Sequence, residues 1–257
     1  MTLYEEATKA DAVGPPLELR VGPHRADVAA LFCRSDSVYK TMPGVDAWDA
    51  ERDAMTYTGA YPVVAHPPCT RWSMINGVVL SRYPHKAEEF AWGNDGGTFR
   101  FAVDTVRRVG GVIEHPAGSR AFGHHGLPRI GRGPDKHGGW SCELRQVDFG
   151  HRAEKRTWLY IVGAGPDDLP PLPAAREATA LVVRMPECRA VEVMGKAERE
   201  HSPPAFAFWL VEVVRRCQVR PNVRAKRATT AGRQARAGEN VPRTAGPGLV
   251  ACRWRSA

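Results

Sequence analysis

A cysteine held behind two prolines is the residue of this 257-residue chain best suited to act as a nucleophile. It stands in His66-Pro67-Pro68-Cys69-Thr70-Arg71-Trp72, where the short apolar run Pro62-Val63-Val64-Ala65 ends. A second apolar run, Gly111-Val112-Ile113, ends in Glu114-His115-Pro116. A thiol and a carboxylate at the ends of two strands suit covalent attack on a pyrimidine ring. C5 of that ring reacts poorly with electrophiles until a thiolate adds at C6 and makes it enamine-like. Rigid placement of the sulfur makes such an attack fast, and two prolines restrict the backbone that carries it. Glu114 is the candidate to steady charge developing at N3. Arg71, Arg152, Lys155 and Arg156 are candidate cations to orient the base and favour the thiolate. His66 and His115 are candidates to relay protons, including loss of the proton at C5. Pro67, Pro68, Thr70 and Trp72 complete the substrate-facing turn, Trp72 as the ring best placed to stack on a base.

These residues need strands to carry them and helices to space them. Asp27 to Cys33, Val45 to Trp48, Val63 to Ala65 and Val112-Ile113 read as short buried strands, and Leu17 to Arg20 as an extended segment. Thr98 to Val109 has the spacing of an amphipathic helix, closed by Gly110-Gly111. Trp158 to Val162 is a further strand, and Ala180 to Val183 another. Ser202 is expected to cap a last helix with Pro203 as its first residue and Phe206, Leu210 and Val213-Val214 as its apolar face. The glycine-rich stretch Phe122 to Asp148 reads as a loop able to cover the site, and the proline-rich Gly165 to Ala175 as a surface excursion. Strand and helix segments in this order predict an α/β fold, whose ligands gather beyond the carboxyl ends of the strands.

Composition narrows the class. A chain that is 43% hydrophobic can bury one substantial core. It has no apolar run of membrane-spanning length, and Met1 to Ala12, with acids and no apolar core, is not expected to act as a secretory leader. Six scattered cysteines without a CxxC pair suit a reducing, cytoplasmic setting and no zinc ribbon. The net charge of +8 resides in residues 220–257, where nine Lys or Arg face one acid, Glu239. Residues 1–219 balance, so the chain divides into an α/β domain (1–219) and a basic, flexible tail (220–257) suited to phosphates. Alternatively, the tail's arginines merely reflect biased composition. No metal is expected: neither His66 nor His115 begins an H-x-E pattern, and Cys69 lacks the second cysteine of a deaminase site.

Taken together, these motifs resemble those of the cytosine-5 DNA methyltransferases. That likeness implies Pro68-Cys69 as nucleophile, Glu114-His115-Pro116 as the carboxylate segment, and Glu154-Lys155-Arg156-Thr157-Trp158 as a base-contacting segment in which Arg156 matches the family's first arginine. The chain is also similar to short phage-type relatives of these enzymes, through His66 to Cys69, Glu114 to Pro116 and Phe149 to Thr157. The likeness runs from about residue 28 to 214. It implies a trimmed Rossmann-like methyltransferase fold, a mostly parallel sheet with flanking helices. It also implies S-adenosylmethionine, or a derivative of it, as donor. The donor loop would be Cys33-Arg34-Ser35-Asp36-Ser37, which contains no glycine, with Asp46 or Asp49 holding ribose hydroxyls. The segment after Gly163 is short for a target-recognition region, so DNA and a free pyrimidine nucleotide both stand as substrates. A noncatalytic DNA-binding protein on the same fold is the rival reading.

Overall fold

In the computed structural model, residues 26–73, 75–88, 90–182 and 191–217 are described. The Leu17 to Arg20 segment, Val183 and the basic tail lie outside them. The core element is a six-stranded sheet of β1 (Val28–Cys33), β2 (Val45–Asp49), β3 (Val63–Ala65), β4 (Gly111–Pro116), β5 (Trp140–Arg145) and β6 (Arg156–Val162). Their order is β2-β1-β3-β4-β6-β5. The first four strands are parallel, and β6 runs antiparallel to both β4 and β5. This is a mixed α/β architecture. Because β1 leads outward to β2 and then back across to β3, the chain reverses its winding between β1 and β3, where such sheets open a crevice.

Helices cover both faces. Helix α1 (Ile75–Arg82) follows the cysteine turn, α2 (Thr98–Val109) precedes β4, and α3 (Arg120–His124) follows it. Short α4 (Lys196–Glu200) and the terminal α5 (Pro204–Arg215) complete the set. Phe99, Ala102, Val103 and Val106 of α2 bury against one face, and Phe206, Leu210, Val213 and Val214 of α5 against the other. Each large apolar side chain so buried contributes about 1.5–3 kcal/mol.

Strand alternation sorts side chains between the two faces. Val64, Val112, Leu159 and Ile161 join the α5 cluster. Val63, Ala65, Ile113, Tyr160 and Val162 join the α2 cluster. Gly110 ends α2 with φ +83°, and Gly111 opens β4 with φ +128°. A Cβ at Gly111 would lie 2.0 Å from the carbonyl oxygen of Val63. The two glycines therefore let β4 press against β3.

Three expectations are corrected. The Phe122 to Asp148 stretch is not a loop over the site: it contains α3 and β5. Its middle is tied down by Asp135, which accepts from Arg107 in the last turn of α2 and from Tyr160. Helix α5 begins one residue later than expected, with Pro203 as N-cap, Pro204 in its first turn and no cap from Ser202. The physical reason is the Pro203-Pro204 pair, because a residue before proline is pushed out of helical geometry, and Pro203 has ψ 139°. The Ala180 to Val183 strand reduces to isolated bridges from Ala180 to Ala153 and from Leu181 to Val193. Helix α1 was not foreseen; its Gly77, Val78 and Val79 are poor helix formers. Among the described residues no helix is long and apolar enough to cross a membrane.

Candidate active site

Cys69 sits where β3 has ended and the chain turns toward α1. Its carbonyl accepts from the amides of Trp72 and Ser73, each at 2.9 Å, which closes the turn. Pro67 is buried beneath it, whereas Pro68 and Thr70 are exposed. Burial first, and then the charge of Glu114, push the half-buried Cys69 thiol up, while Lys155 pulls it down. At rest the group is therefore a thiol in the field of two anions, Glu114 and Glu200, and one cation, Lys155.

The same alternation that builds the core assembles the site. His66 continues the Val64 face of β3, Glu114 the Val112 face of β4, and Thr157 the Leu159 face of β6. All three meet. His66 Nδ1 lies 3.0 Å from Glu114 Oε2, and Tyr39 Oη lies 2.9 Å from His66 Nε2. Glu114 Oε1 accepts from Gln146 Nε2 at 3.2 Å and from the hydroxyl of Thr157, which also reaches the carbonyl of His115. Burial alone would raise the Glu114 carboxyl. The hydrogen bond and charge of His66, the charge of Lys155 and the Thr157 hydroxyl together hold it down at about 2. Glu114 is thus an ionised acceptor, which corrects the expected role at N3: a carboxylate without a proton cannot donate to that nitrogen or steady negative charge on it.

Lys155 reaches this cluster from the strained side of a turn, with φ +36°. Its Nζ donates to the carbonyl of His201 at 2.9 Å. Burial pushes its ammonium down, and the charges of Glu114 and Cys69 oppose that. Arg156, the next residue, faces the other way and pairs with Glu143 at 2.6 Å. Arg152 is likewise committed elsewhere, to Glu192 and Glu198. Arg71 stacks over Phe90 at 4.0 Å. Trp72 is a core residue, buried among Phe99, His124 and His125 with its indole N–H on Asp95, so it presents no open face to a base.

His115 lies on the α2 face of β4, opposite Glu114. Only 1% exposed, it packs edge-on against Phe99, and neither ring nitrogen has a hydrogen-bond partner among the described residues. Burial pushes it down to about 4, against the charge of Glu114. Acid should therefore weaken the fold in two steps. From pH 6.5 toward 4 the unfolded chain binds a proton that folded His115 refuses, removing about 3 kcal/mol. From pH 4.5 toward 2 the unfolded chain protonates Glu114 while the folded chain resists, removing about 3 kcal/mol more. Urea midpoints measured between pH 7.5 and 3 would show this; a curve level down to pH 4.5 would sink the first step.

No protein-family model, curated protein or solved structure matches this chain. The functional reading therefore rests on the geometry.

A separate cavity lies where β1 and β2 end. Its volume is about 440 Å³, and it is lined by Cys33, Arg34, Ser35, Asp49, Ala50 and Glu51. The glycine-free loop is turned by a bulge, with Phe32 at φ +60° and the β1–β2 register shifted between Leu31 and Cys33. A bulge re-aims the residues after it, which is the service glycines would give. Cys33 is buried with its thiol pushed up to about 12 by burial, its Sγ on the carbonyl of Ala30. Arg34 pairs with Asp36 at 2.9 Å and lies 3.6 Å from Glu200. Ser37 caps the short 3-10 turn Val38–Thr41 that carries Tyr39. Asp49 holds Lys40 at 2.5 Å and the amides of Glu51 and Arg52. Asp46 is taken up by Trp48 and Arg52, outside the cavity lining.

Tyr39 and Gln146 were invisible to motif reading, since neither has diagnostic spacing. Thr157 carried a usable signal, because it shares parity with Leu159. Among the described residues no group of three or more His, Cys, Asp or Glu is placed to hold a metal ion.

Proposed function

We propose that this chain is a trimmed Rossmann-like methyltransferase-type enzyme that transfers a methyl or related one-carbon group to C5 of a pyrimidine, cytosine before uracil, through a covalent cysteine adduct. The observation that carries the reading is the convergence of Cys69, ionised Glu114 and Lys155 beside the crevice between β1 and β3. In the reaction the Cys69 thiol gives its proton to water and its sulfur bonds to C6 of the ring. The electron pair displaced from the C5–C6 bond makes C5 nucleophilic. Lys155 stabilises the thiolate. Glu114 accepts a hydrogen bond from the exocyclic amine of cytosine, which uracil lacks. After transfer, water takes the C5 proton, the C–H electron pair re-forms the C5–C6 double bond and the C6–S bond breaks to release the Cys69 thiolate.

The β1–β2 cavity fits a nucleoside-bearing donor in size and lining: pockets of roughly 300–1,000 Å³ take such ligands. Ser35 supplies a hydroxyl there and Glu51 a carboxylate for ribose hydroxyls, Asp49 being held by Lys40 and two backbone amides. S-adenosylmethionine, or a derivative of it, supplies an electrophilic carbon when bound.

The test is the intact mass of the protein after incubation with the donor and an oligonucleotide containing 5-fluorocytosine, whose C5 fluorine cannot leave as a proton. A mass increase of one oligonucleotide plus the transferred group is expected. No adduct on the oligonucleotide, and none with the fluorinated nucleotide, would overturn the reading.

Tyr39 adds a finer expectation. Only 2% exposed, it fixes His66 so that Nδ1 faces Glu114. Tyr39→Phe leaves Nε2 without its partner and should slow adduct formation about tenfold and displace its pH profile, at about 1–2 kcal/mol of stability. An unmoved pH profile would reduce Tyr39 to a packing residue.

A further inference from the structure

Resting on the reading above for the roles of Cys69, Glu114 and Lys155, we infer that Gln146 is a positioning residue of this reaction. Its neutral amide occupies the Glu114 carboxylate, so that the Lys155 ammonium stays available to the Cys69 sulfur instead of closing on that carboxylate.

Gln146 is fully buried and opens the short 3-10 turn Gln146–Phe149 between β5 and β6. It ties both charges in place. Its side-chain Nε2 donates to Glu114 Oε1 at 3.2 Å, and its backbone amide donates to the Lys155 carbonyl at 3.2 Å. Its own carbonyl accepts from the His151 amide at 3.1 Å. Lys155 needs such support, because φ +36° is a costly conformation that persists only where neighbours fix it.

Lys155 and Glu114 carry opposite charges and each shifts the other's protonation, yet among the described residues no ion pair joins them. Neutral partners keep them apart. The two lone pairs of Glu114 Oε1 are met by the Gln146 amide and the Thr157 hydroxyl, while His66 takes Oε2. Lys155 Nζ is held by the His201 carbonyl. A carboxylate satisfied by neutral donors gains little from drawing in an ammonium, so the ammonium keeps its field on the sulfur. The amide is also not the choice that stability alone would make. Its Oε1 is buried without a hydrogen-bond partner among the described residues, and an unpaired buried acceptor costs free energy. An apolar side chain would avoid that cost but leave Glu114 one donor short.

Other titratable groups face the same place. They are Glu200 from α4, itself shared with Arg34 and Lys196, His151 from the turn that carries Lys155, and His66 with Tyr39 behind it. None of them bonds to the Gln146 side chain, so substituting it changes the Glu114–Lys155 relation first.

The experiment follows alkylation of Cys69 by iodoacetamide in the full chain from about pH 6 to 10, with no base or donor present, and peptide mass analysis reads it. Gln146→Met keeps the length of the side chain but cannot donate. Glu114 stays ionised near neutrality, because His66 still holds it down, and it should now draw Lys155 away from the sulfur. Alkylation at pH 7 should slow about threefold, with the rising limb about half a pH unit higher. In a Lys155→Met background Gln146→Met should add no further change. Thr157→Val removes the other neutral donor from the same oxygen and should move the limb the same way, which keeps the test alive where Gln146→Met does not fold. Unmoved limbs in the folded variants, or a Gln146→Met shift that persists without Lys155, overturn the positioning role. The expected shift with no adduct on any fluorinated substrate keeps that role and overturns the pyrimidine chemistry instead.

Discussion

Cys69→Ser is expected to leave no detectable adduct and no modified base, while the fold survives. The half-buried side chain loses little packing on exchanging sulfur for oxygen, but a serine hydroxyl is far too weak an acid to supply the nucleophile near neutrality. The wild-type thiol should also show a characteristic pH response. Burial and the Glu114 charge raise it, so thiolate is the minor form at pH 7, and alkylation of Cys69 by iodoacetamide should climb nearly tenfold per pH unit until the raised value is reached. Lys155→Met removes the one nearby cation that lowers the thiol, so its rising limb moves to higher pH. Glu114→Gln removes an anion that raises it, so that limb moves to lower pH even though base recognition is lost. Peptide mass analysis of the alkylated protein reads both. Shifts in the same direction for the two variants would contradict the electrostatic assignment.

Gly111→Ala should be the most damaging single substitution for the fold. The position has φ +128°, where any side chain is strained, and its new Cβ would meet backbone, the Val63 oxygen at 2.0 Å and nitrogen at 2.6 Å. Backbone strain of about 1–3 kcal/mol and overpacking of about 1–3 kcal/mol combine with loss of register between β3 and β4. A fall of about 4 kcal/mol or more is expected, enough to unfold a marginal domain. Gly138 is the control: φ +76° but open space around its missing Cβ, so Gly138→Ala should cost only about 1 kcal/mol. Urea unfolding compares them, and equal midpoints would refute the close approach of the two strands.

Much of this was legible in the residues themselves. Short apolar runs marked the largely buried β1, β3, β4 and β6, Val45 to Trp48 marked the half-buried edge strand β2, and α2 showed its own period. Strand β5 was missed because Trp140 to Arg145 mixes Ser, Cys, Glu and Arg, an edge strand with little apolar signature. For the site, matching motifs to a family pattern drew attention to Arg156, whereas counting in twos along β6 favours its neighbours. Thr157 and Leu159 share the face that Glu114 occupies on β4, and Arg156 shares the face of Trp158. No local rule, by contrast, announces Tyr39 or Gln146. They are brought to Glu114 by chain reversals far away in sequence.

The Tyr39–His66–Glu114 chain of hydrogen bonds has one more consequence. Tyr39 belongs to the turn that Ser37 caps, on the side of the cavity at β1 and β2, and Glu114 belongs to the base side. The β1–β2 side and the Glu114 side are thus joined by hydrogen bonds through His66. Any ligand that favours one arrangement of the 38–41 turn changes affinity at the carboxylate, and thermodynamic reciprocity requires a base bound there to change that ligand's affinity by the same factor. On the proposed function, a donor that displaces this turn would be coupled to the base through the Tyr39–His66–Glu114 hydrogen bonds.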